Sequence, residues 1–300
     1  MQQKPMIILT GPTAVGKSAL SVELAKKING AVISADSMQV YRHMDIGSAK
    51  ITPEEMQGVT HYMIDELEPD EEFHVVRFVT MAKEYLKEIY ADGKIPIIAG
   101  GTGFYIQALL YDLAREHGAE YLHGILREVD PASAEAIHAN NIKRVIRALE
   151  FYHLSGKKIS EHNETERQKQ SPYNFAYFVL TDERAKLYER IDRRVNAMIE
   201  AGLVEEVKKL KSMGCSLEMV SMQGLGYKEI LAYLDGGCTL EEAVYIIKRE
   251  TRHFAKRQLT WFKRERDVIW LDKQAFGYDD AAILTDMISI LEEKEIISHE

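Results

Sequence analysis

The residues with the types and spacing to act on a phosphorylated substrate are Lys17 and Ser18 at the end of one glycine-bounded loop, Asp36 beyond a second apolar run, and Thr102 in a later glycine-rich loop. The first pair closes Gly11-Pro12-Thr13-Ala14-Val15-Gly16-Lys17-Ser18. Glycines at both ends let such a loop curl until successive backbone N–H groups converge, and the positive end of a following helix adds to them. The result is a cradle for two linked phosphates. Lys17 supplies a mobile cation there, and the Ser18 hydroxyl can hold a Mg²⁺ that bridges phosphate oxygens. An ordinary glycine-rich turn is the alternative, and the flanks argue against it. Met6-Ile7-Ile8-Leu9 reads as a buried strand and residues 18–25 as an amphipathic helix, the context this motif requires.

Asp36 follows Ala31-Val32-Ile33-Ser34, a second strand. Strand, helix and strand in this order imply a parallel pair with a right-handed crossover, which puts the Asp36 loop on the same sheet edge as the phosphate loop. A carboxylate there serves as a general base, as a metal ligand through water, or as a turn cap; the residues alone leave all three open. Ile95-Pro96-Ile97-Ile98-Ala99 runs into Gly100-Gly101-Thr102-Gly103, either a second ligand loop at that edge or a common turn.

Further elements must hold these loops. A strand is expected at Met63-Ile64 and a helix over 73–90. Between 113 and 171 the alternation stops: Ile142, Val145, Ile146 and Leu149 mark one helical face, with Lys143, Arg144 and Arg147 on others. A strand returns at 175–180, followed by helices at 184–201, 203–213 and 240–266 and a last strand at 268–271. Asp272 imitates the acidic strand end of phosphate-loop NTPases, yet so late in the chain it reads as an ordinary strand end. The expected fold is α/β, a P-loop NTPase-like parallel sheet core flanked by helices, formed by residues 1–112 and 172–300, with a helical insertion domain at 113–171.

The formal net charge of −9 argues against a polyanionic partner until the distribution is read. Bases concentrate between Lys248 and Arg266, where Arg249, Arg252, Lys256 and Lys263 follow at spacings of three, four and seven and line one stripe, with Ile247, Phe254 and Trp261 on another side. This is a solvated face or a surface for a phosphate backbone. Cys215 and Cys238 lie outside any C-x-x-C spacing, so neither a zinc site nor a disulfide framework is expected. With no long apolar segment and no charged-then-apolar leader, the expectation is a cytoplasmic chain without membrane contact.

In order along the chain stand Gly-Pro-Thr-Ala-Val-Gly-Lys-Ser (11–18), Ile-Ser-Ala-Asp-Ser-Met-Gln-Val-Tyr (33–41), Met-Asp-Ile-Gly-Ser-Ala-Lys (44–50), Gly-Gly-Thr-Gly (100–103), Arg-Val-Ile-Arg-Ala-Leu-Glu (144–150) and Ala-Lys-Arg-Gln-Leu-Thr-Trp-Phe (255–262). Together they closely resemble the bacterial-type tRNA dimethylallyltransferases. The resemblance implies transfer of a dimethylallyl group from dimethylallyl diphosphate to N6 of the adenine just 3′ of the anticodon, in tRNAs reading codons that begin with U, with release of diphosphate. It implies Asp36 as base, Lys17 and residues 11–18 on the diphosphate, Mg²⁺ at Ser18, and Thr102 orienting adenine or diphosphate. It puts Asp36, Ser37, Met38, Gln39, Thr102, Lys143, Arg144, Arg147, Gln223, Tyr227, Lys228, Lys256, Arg257, Trp261 and Lys263 on tRNA, in an enzyme taken as a monomer.

This chain departs from the pattern at several points. Gln223 stands where some relatives carry a diphosphate-binding Arg, and Lys263 where Arg is usual. His138-Ala139-Asn140-Asn141 replaces His-Pro-Asn-Asp, and a charged segment is missing between Tyr111 and Arg115. A nucleoside or nucleotide kinase shares the phosphate loop and Asp and is the main rival reading; an RNA-binding module with a vestigial loop is the second.

Overall fold

The computed structural model describes residues 4–110, 130–136 and 171–298. The chain divides into two compact units, residues 1–107 with 173–300, and residues 108–172. The helix face at 142–149, with Lys143, Arg144 and Arg147, lies outside the described residues, as do His138 to Asn141 and Tyr111 to Arg115.

The larger unit is built on six parallel strands, β1 (Lys4–Thr10), β2 (Gly30–Ser34), β3 (His61–Tyr62), β4 (Ile95–Gly100), β5 (Tyr173–Thr181) and β6 (Val268–Asp272), in the order β3-β2-β4-β1-β5-β6. Met6 to Leu9 of the interior strand β1 are completely buried, as a continuous apolar run in a sheet covered on both faces should be. The expected pairing of β1 with β2 is corrected: both are parallel, but β4 lies between them and pairs with each. The last-registered pairs are Thr10 with Gly100 and Ser34 with Ala99. All three chemistry-bearing loops therefore leave the sheet at one level. The strand expected at 63–64 is found at 61–62, because Met63 takes a left-handed backbone (φ 63°) that ends the extended run.

Helices α1 (Lys17–Lys27), α2 (Pro53–Met56), α3 (Val75–Ala91) and α4 (Gly103–Leu110) belong to the first half of the chain. Gly16 precedes α1 at φ 102°, a conformation that a side chain would oppose. Leu20, Leu24 and Ala25 of α1 pack on Ile7, Leu9 and Val32, fixing the helix start over the end of β1. Within the smaller unit, α5 (Pro131–Ala136) begins where the Asp130 carboxylate accepts both the N–H (3.1 Å) and the hydroxyl (2.6 Å) of Ser133.

After β5 come α6 (Arg184–Glu200), α7 (Leu203–Ser212), α8 (Tyr227–Leu234), α9 (Leu240–Phe262) and α10 (Asp280–Glu293). Thr239 and Glu242 start α9 reciprocally, Thr239 N–H donating to the carboxylate at 2.8 Å and Glu242 N–H to the threonine hydroxyl at 3.2 Å. Its inward stripe is Ala243, Ile247, Ala255, Gln258 and Phe262. Asp272 accepts the N–H of Gln274 at 3.1 Å, the turn-capping role expected of an ordinary strand end. Among the described residues no helix is long and apolar enough to cross a membrane.

Candidate active site

A cavity of about 540 Å³ opens at the C-terminal ends of β1, β2 and β4. Thr13, Ala14, Gly16, Lys17 and Ser18 line it from the first loop, Asp36 and Gln39 from the second, and Gly100 and Gly101 from the third. Sheet order explains the convergence: neighbouring strands that end in register deliver their loops side by side.

Lys17 folds over its own loop, its Nζ donating to Gly11 O at 3.0 Å and Pro12 O at 2.8 Å. Burial pulls its pKa down to about 7; nearby Arg194 lowers it further and Asp36 opposes both. Desolvation likewise disfavours the charge on Arg194, which Asp36 and Glu55 favour. Lys17, Asp36 and Arg194 thus share one electrostatic neighbourhood, and an arriving anion would restore full charge to the lysine. Asp36 forms a tight local turn, its Oδ1 accepting Met38 N–H at 2.8 Å, so the turn-cap alternative is fulfilled by one oxygen of a residue that also lines the cavity.

The two glycine loops are joined by a side chain to which the sequence attached no role. Gln258, 6% exposed on α9, accepts Thr13 N–H at its Oε1 (2.9 Å) and donates from Nε2 to Gly101 O (2.9 Å). Its approach requires bare backbone: a Cβ on Gly101 would sit 2.2 Å from Gln258 Nε2. One amide, which carries both a donor and an acceptor, thereby satisfies an N–H and a carbonyl on separate loops. It lay inside the Lys-Arg-Gln-Leu-Thr-Trp block, and an uncharged polar residue every fourth position from apolar ones was the available signal.

Arg190 and Asp182 were also not singled out. Asp182, just past β5, accepts Glu183 N–H at 2.6 Å, Tyr278 OH at 3.2 Å and an Arg190 N–H; Arg190 in turn donates to Ala14 O at 3.1 Å. A buried carboxylate thus steers an arginine that props the phosphate loop and lines the cavity.

The other expected site residues are placed differently from one another. Thr102 is placed beside the cavity rather than in its lining, its N–H on Ala35 O at 3.2 Å and its carbonyl receiving Tyr105 N–H at 2.9 Å. Gln39 looks inward, donating to Ala49 O at 3.1 Å, while Ser37 and Met38 are half-buried, Met38 lying against Gly224 so that the Asp36 loop and the segment after Gln223 adjoin. Gln223 donates to Leu217 O, and Lys228 lies 3.6 Å from Glu229. Tyr227 is a correction: expected on tRNA, it is 0% exposed, and a phenol sealed under α7 cannot touch RNA in this conformation.

The basic stripe divides as well. Lys256, Arg257, Lys263 and Arg264 are exposed. Arg252 is not free for a phosphate: its NH1 lies 2.7 Å from both carboxylate oxygens of Asp192 on α6. Trp261 turns toward the fold, its ring edge where a Cβ on Gly103 would fall (2.3 Å to Cδ1) and its Nε1 buried. Phe254, expected to pack, is 36% exposed and lines the cavity.

Among the described residues no group of three His, Cys, Asp or Glu forms a metal cage. The Ser18 hydroxyl and Asp36 carboxylate nevertheless line the same cavity, and hard oxygen donors of this kind suit Mg²⁺, which takes most of its shell from phosphate and water.

Fold and site define a phosphate-loop transferase: a P-loop NTPase-like parallel sheet whose edge cavity is lined by the glycine-bounded loop with Lys17 and Ser18 and by the Asp36 carboxylate. The model of the IPP transferase family matches residues 39–265. A tRNA dimethylallyltransferase of Lachnoclostridium phytofermentans is 62% identical over 98% of this chain and 99% of its own. The crystal structure of the full-length tRNA isopentenylpyrophosphate transferase from Bacillus halodurans superposes with a TM-score of 0.76 at 44% identity, covering 98% of each chain. A eukaryotic dimethylallyltransferase caught acting on tRNA superposes with a TM-score of 0.85 at 30% identity, over 99% of this chain and 81% of that one. The chain belongs to the IPP transferase family, the tRNA dimethylallyltransferases.

Proposed function

We propose that this chain transfers a dimethylallyl group from dimethylallyl diphosphate to N6 of the adenine on the 3′ side of the anticodon, in tRNAs reading codons that begin with U, and releases diphosphate. The observation that carries this reading is the meeting of the Lys17–Ser18 cradle and Asp36 in one cavity of a chain from this family.

Breaking the allylic C1–O bond builds negative charge on the departing diphosphate. Loop N–H groups and Lys17 stabilise charge that is greatest in the transition state, which lowers the barrier rather than merely improving binding. Mg²⁺ held at Ser18 would add cationic charge on the same leaving group. The adenine amine is a weak nucleophile because its lone pair is delocalised into the ring. As the N6–C1 bond forms, Asp36 accepts the amine proton. Arg190 and Gln258 hold the loops at fixed separation, so little reorganisation accompanies the step.

An adenine stacked in an anticodon loop reaches a sheet-edge cavity only when flipped out, at a cost of a few kcal/mol. The exposed bases Lys256, Arg257 and Lys263, together with Lys143, Arg144 and Arg147, are the groups assigned to offset it through backbone contacts. The reading takes the protein as a monomer acting in the cytoplasm with its tRNA acceptors.

Mass spectrometry of unmodified tRNA incubated with dimethylallyl diphosphate, Mg²⁺ and the protein tests the proposal. A mass gain of one dimethylallyl group on that adenine is expected; an unchanged adenine overturns it. Parallel incubation with ATP and nucleosides tests the kinase alternative, for which phosphoryl transfer would be the signature.

A further inference from the structure

Residues Asp45 to Ala49 have irregular backbone, with Ala49 at φ 47°, and contribute Ser48 and Ala49 to the cavity lining. Irregular backbone in such a place needs acceptors for its N–H groups that no ladder provides. Glu206 of α7 supplies them: Asp45 N–H and Ile46 N–H donate to its Oε2 at 2.9 and 2.8 Å, and Gly47 N–H to its Oε1 at 3.1 Å. Tyr227, the first residue of α8, donates its hydroxyl to the same Oε1 at 2.9 Å and accepts Ser48 N–H at 3.1 Å. Successive amides from 45 to 48 are thereby tied to one carboxylate and one phenol, an anion seated in a concave row of N–H groups. The ring closes on bare backbone, since a Cβ on Gly47 would fall 2.5 Å from Tyr227 Cζ. From the other side, Gln39 holds Ala49 O, and Lys50 pairs with Asp45 at 2.6 Å and donates to Tyr41 O at 2.7 Å.

We infer that Glu206 and Tyr227 are positioning residues for the transfer reaction: acting through the 45–48 backbone, they hold the Ser48–Ala49 wall of the cavity against the diphosphate donor. The inference rests on the cavity's being the donor site. It explains why a buried tyrosine opens α8 and why a carboxylate faces inward from α7. Glutamine at 206 would turn an N–H pair toward backbone donors, leaving the part-buried amides of Ile46 and Gly47 short of an acceptor. Tyr227 remains a phenol, because burial and then the Glu206 charge raise its pKa.

The test compares E206Q, Y227F, G47A and the charge-retaining E206D with the parent in the mass-detected transfer assay. KM is measured separately for dimethylallyl diphosphate and for an anticodon stem-loop, with melting temperature and RNA affinity recorded alongside. E206Q and Y227F should raise the donor KM about tenfold, the loss expected for one charge-assisted hydrogen bond. RNA affinity and turnover at saturating donor should hold, G47A should reproduce the effect, and E206D should recover part of it. Y227F removes a single oxygen and carries the test should E206Q fail to fold. An unchanged donor KM in folded variants, a lowered melting temperature alone, or a parallel loss of RNA affinity overturns the inference. Parent protein that transfers nothing refutes the activity reading instead, and the two failures are distinguished in one experiment.

Discussion

The phosphate loop and helix α9 both carry residues of the candidate site, and they are organised in opposite ways. In the loop, Thr13, Ala14, Gly16, Lys17 and Ser18 line one cavity, and Lys17 hydrogen-bonds carbonyls only five and six positions away. In α9, neighbouring residues serve different masters: Gln258 ties loops inside the fold, Arg252 pairs with Asp192, and Lys256 and Arg257 face solvent. A loop can turn its backbone toward one ligand because no helical ladder claims its N–H groups, although here Thr13 N–H is taken by Gln258, whereas a helix has satisfied its own backbone and can act only through side chains, one direction at a time. A motif in the first therefore gathers its residues at one cavity; a stripe in the second is a mixture.

Changes on either side of this contrast should differ in size and kind. Asp36→Ala should be the most severe, lowering turnover by up to roughly 10⁴-fold for a lost general base while RNA binding persists; steady-state rates beside filter-binding titrations check this, and near-parental turnover would remove Asp36 from the mechanism. Lys17→Ala should lower kcat/KM by about 10²- to 10³-fold, as for one preorganised contact to developing charge. The same residue gives a pH signature. With the free-site pKa lowered to about 7, Lys17 loses its proton as pH rises through that value, so donor affinity falls on the alkaline side and is fully present below it. Donor KM measured across that range should rise with pH in the parent and lose this rise in Lys17→Ala.

Gln258→Ala should have an intermediate effect, leaving Thr13 N–H and Gly101 O unpaired at about 1–3 kcal/mol each. It should reduce transfer and melting temperature together, although the residue is remote in sequence from both loops. The smallest and most discriminating effect is the salt slope. Lys256→Ala with Arg257→Ala should flatten the salt dependence of RNA binding by about 0.7 per lost single-strand phosphate contact. Arg252→Ala should lower the melting temperature and leave that slope alone, because its charge is already neutralised by Asp192. Equal slopes for both changes would erase the distinction between the outward and inward parts of the stripe.

How much was legible follows the same division. Strands β1, β2, β4, β5 and β6 were visible as apolar runs, and α1, α3, α6, α7 and α9 as helical stretches, whereas α2, α4, α8 and α10 were not singled out. The placement of β4 between β1 and β2 was not, because pairing joins residues some ninety positions apart, as Ile7 with Ile97, and no local pattern encodes it. Tyr227 was misplaced because the resemblance assigned the stretch from Gln223 to Lys228 as a whole; the packing of α7 against α8 buries the tyrosine within it. Asp182, Arg190 and Arg194 resemble any charges at a strand end and on an amphipathic helix until the fold turns them toward the phosphate loop.

By itself the sequence determined the phosphate loop, the carboxylate that follows the second strand and the glycine-rich third loop, since each depends on contiguous residues whose backbone freedom and side-chain chemistry are local properties. Tertiary structure decided which distant side chains complete them. Gln258 became a bridge, Arg252 an internal ion pair and Tyr227 with Glu206 a brace, because hydrogen bonding and burial act over a few ångströms in space and take no account of separation along the chain.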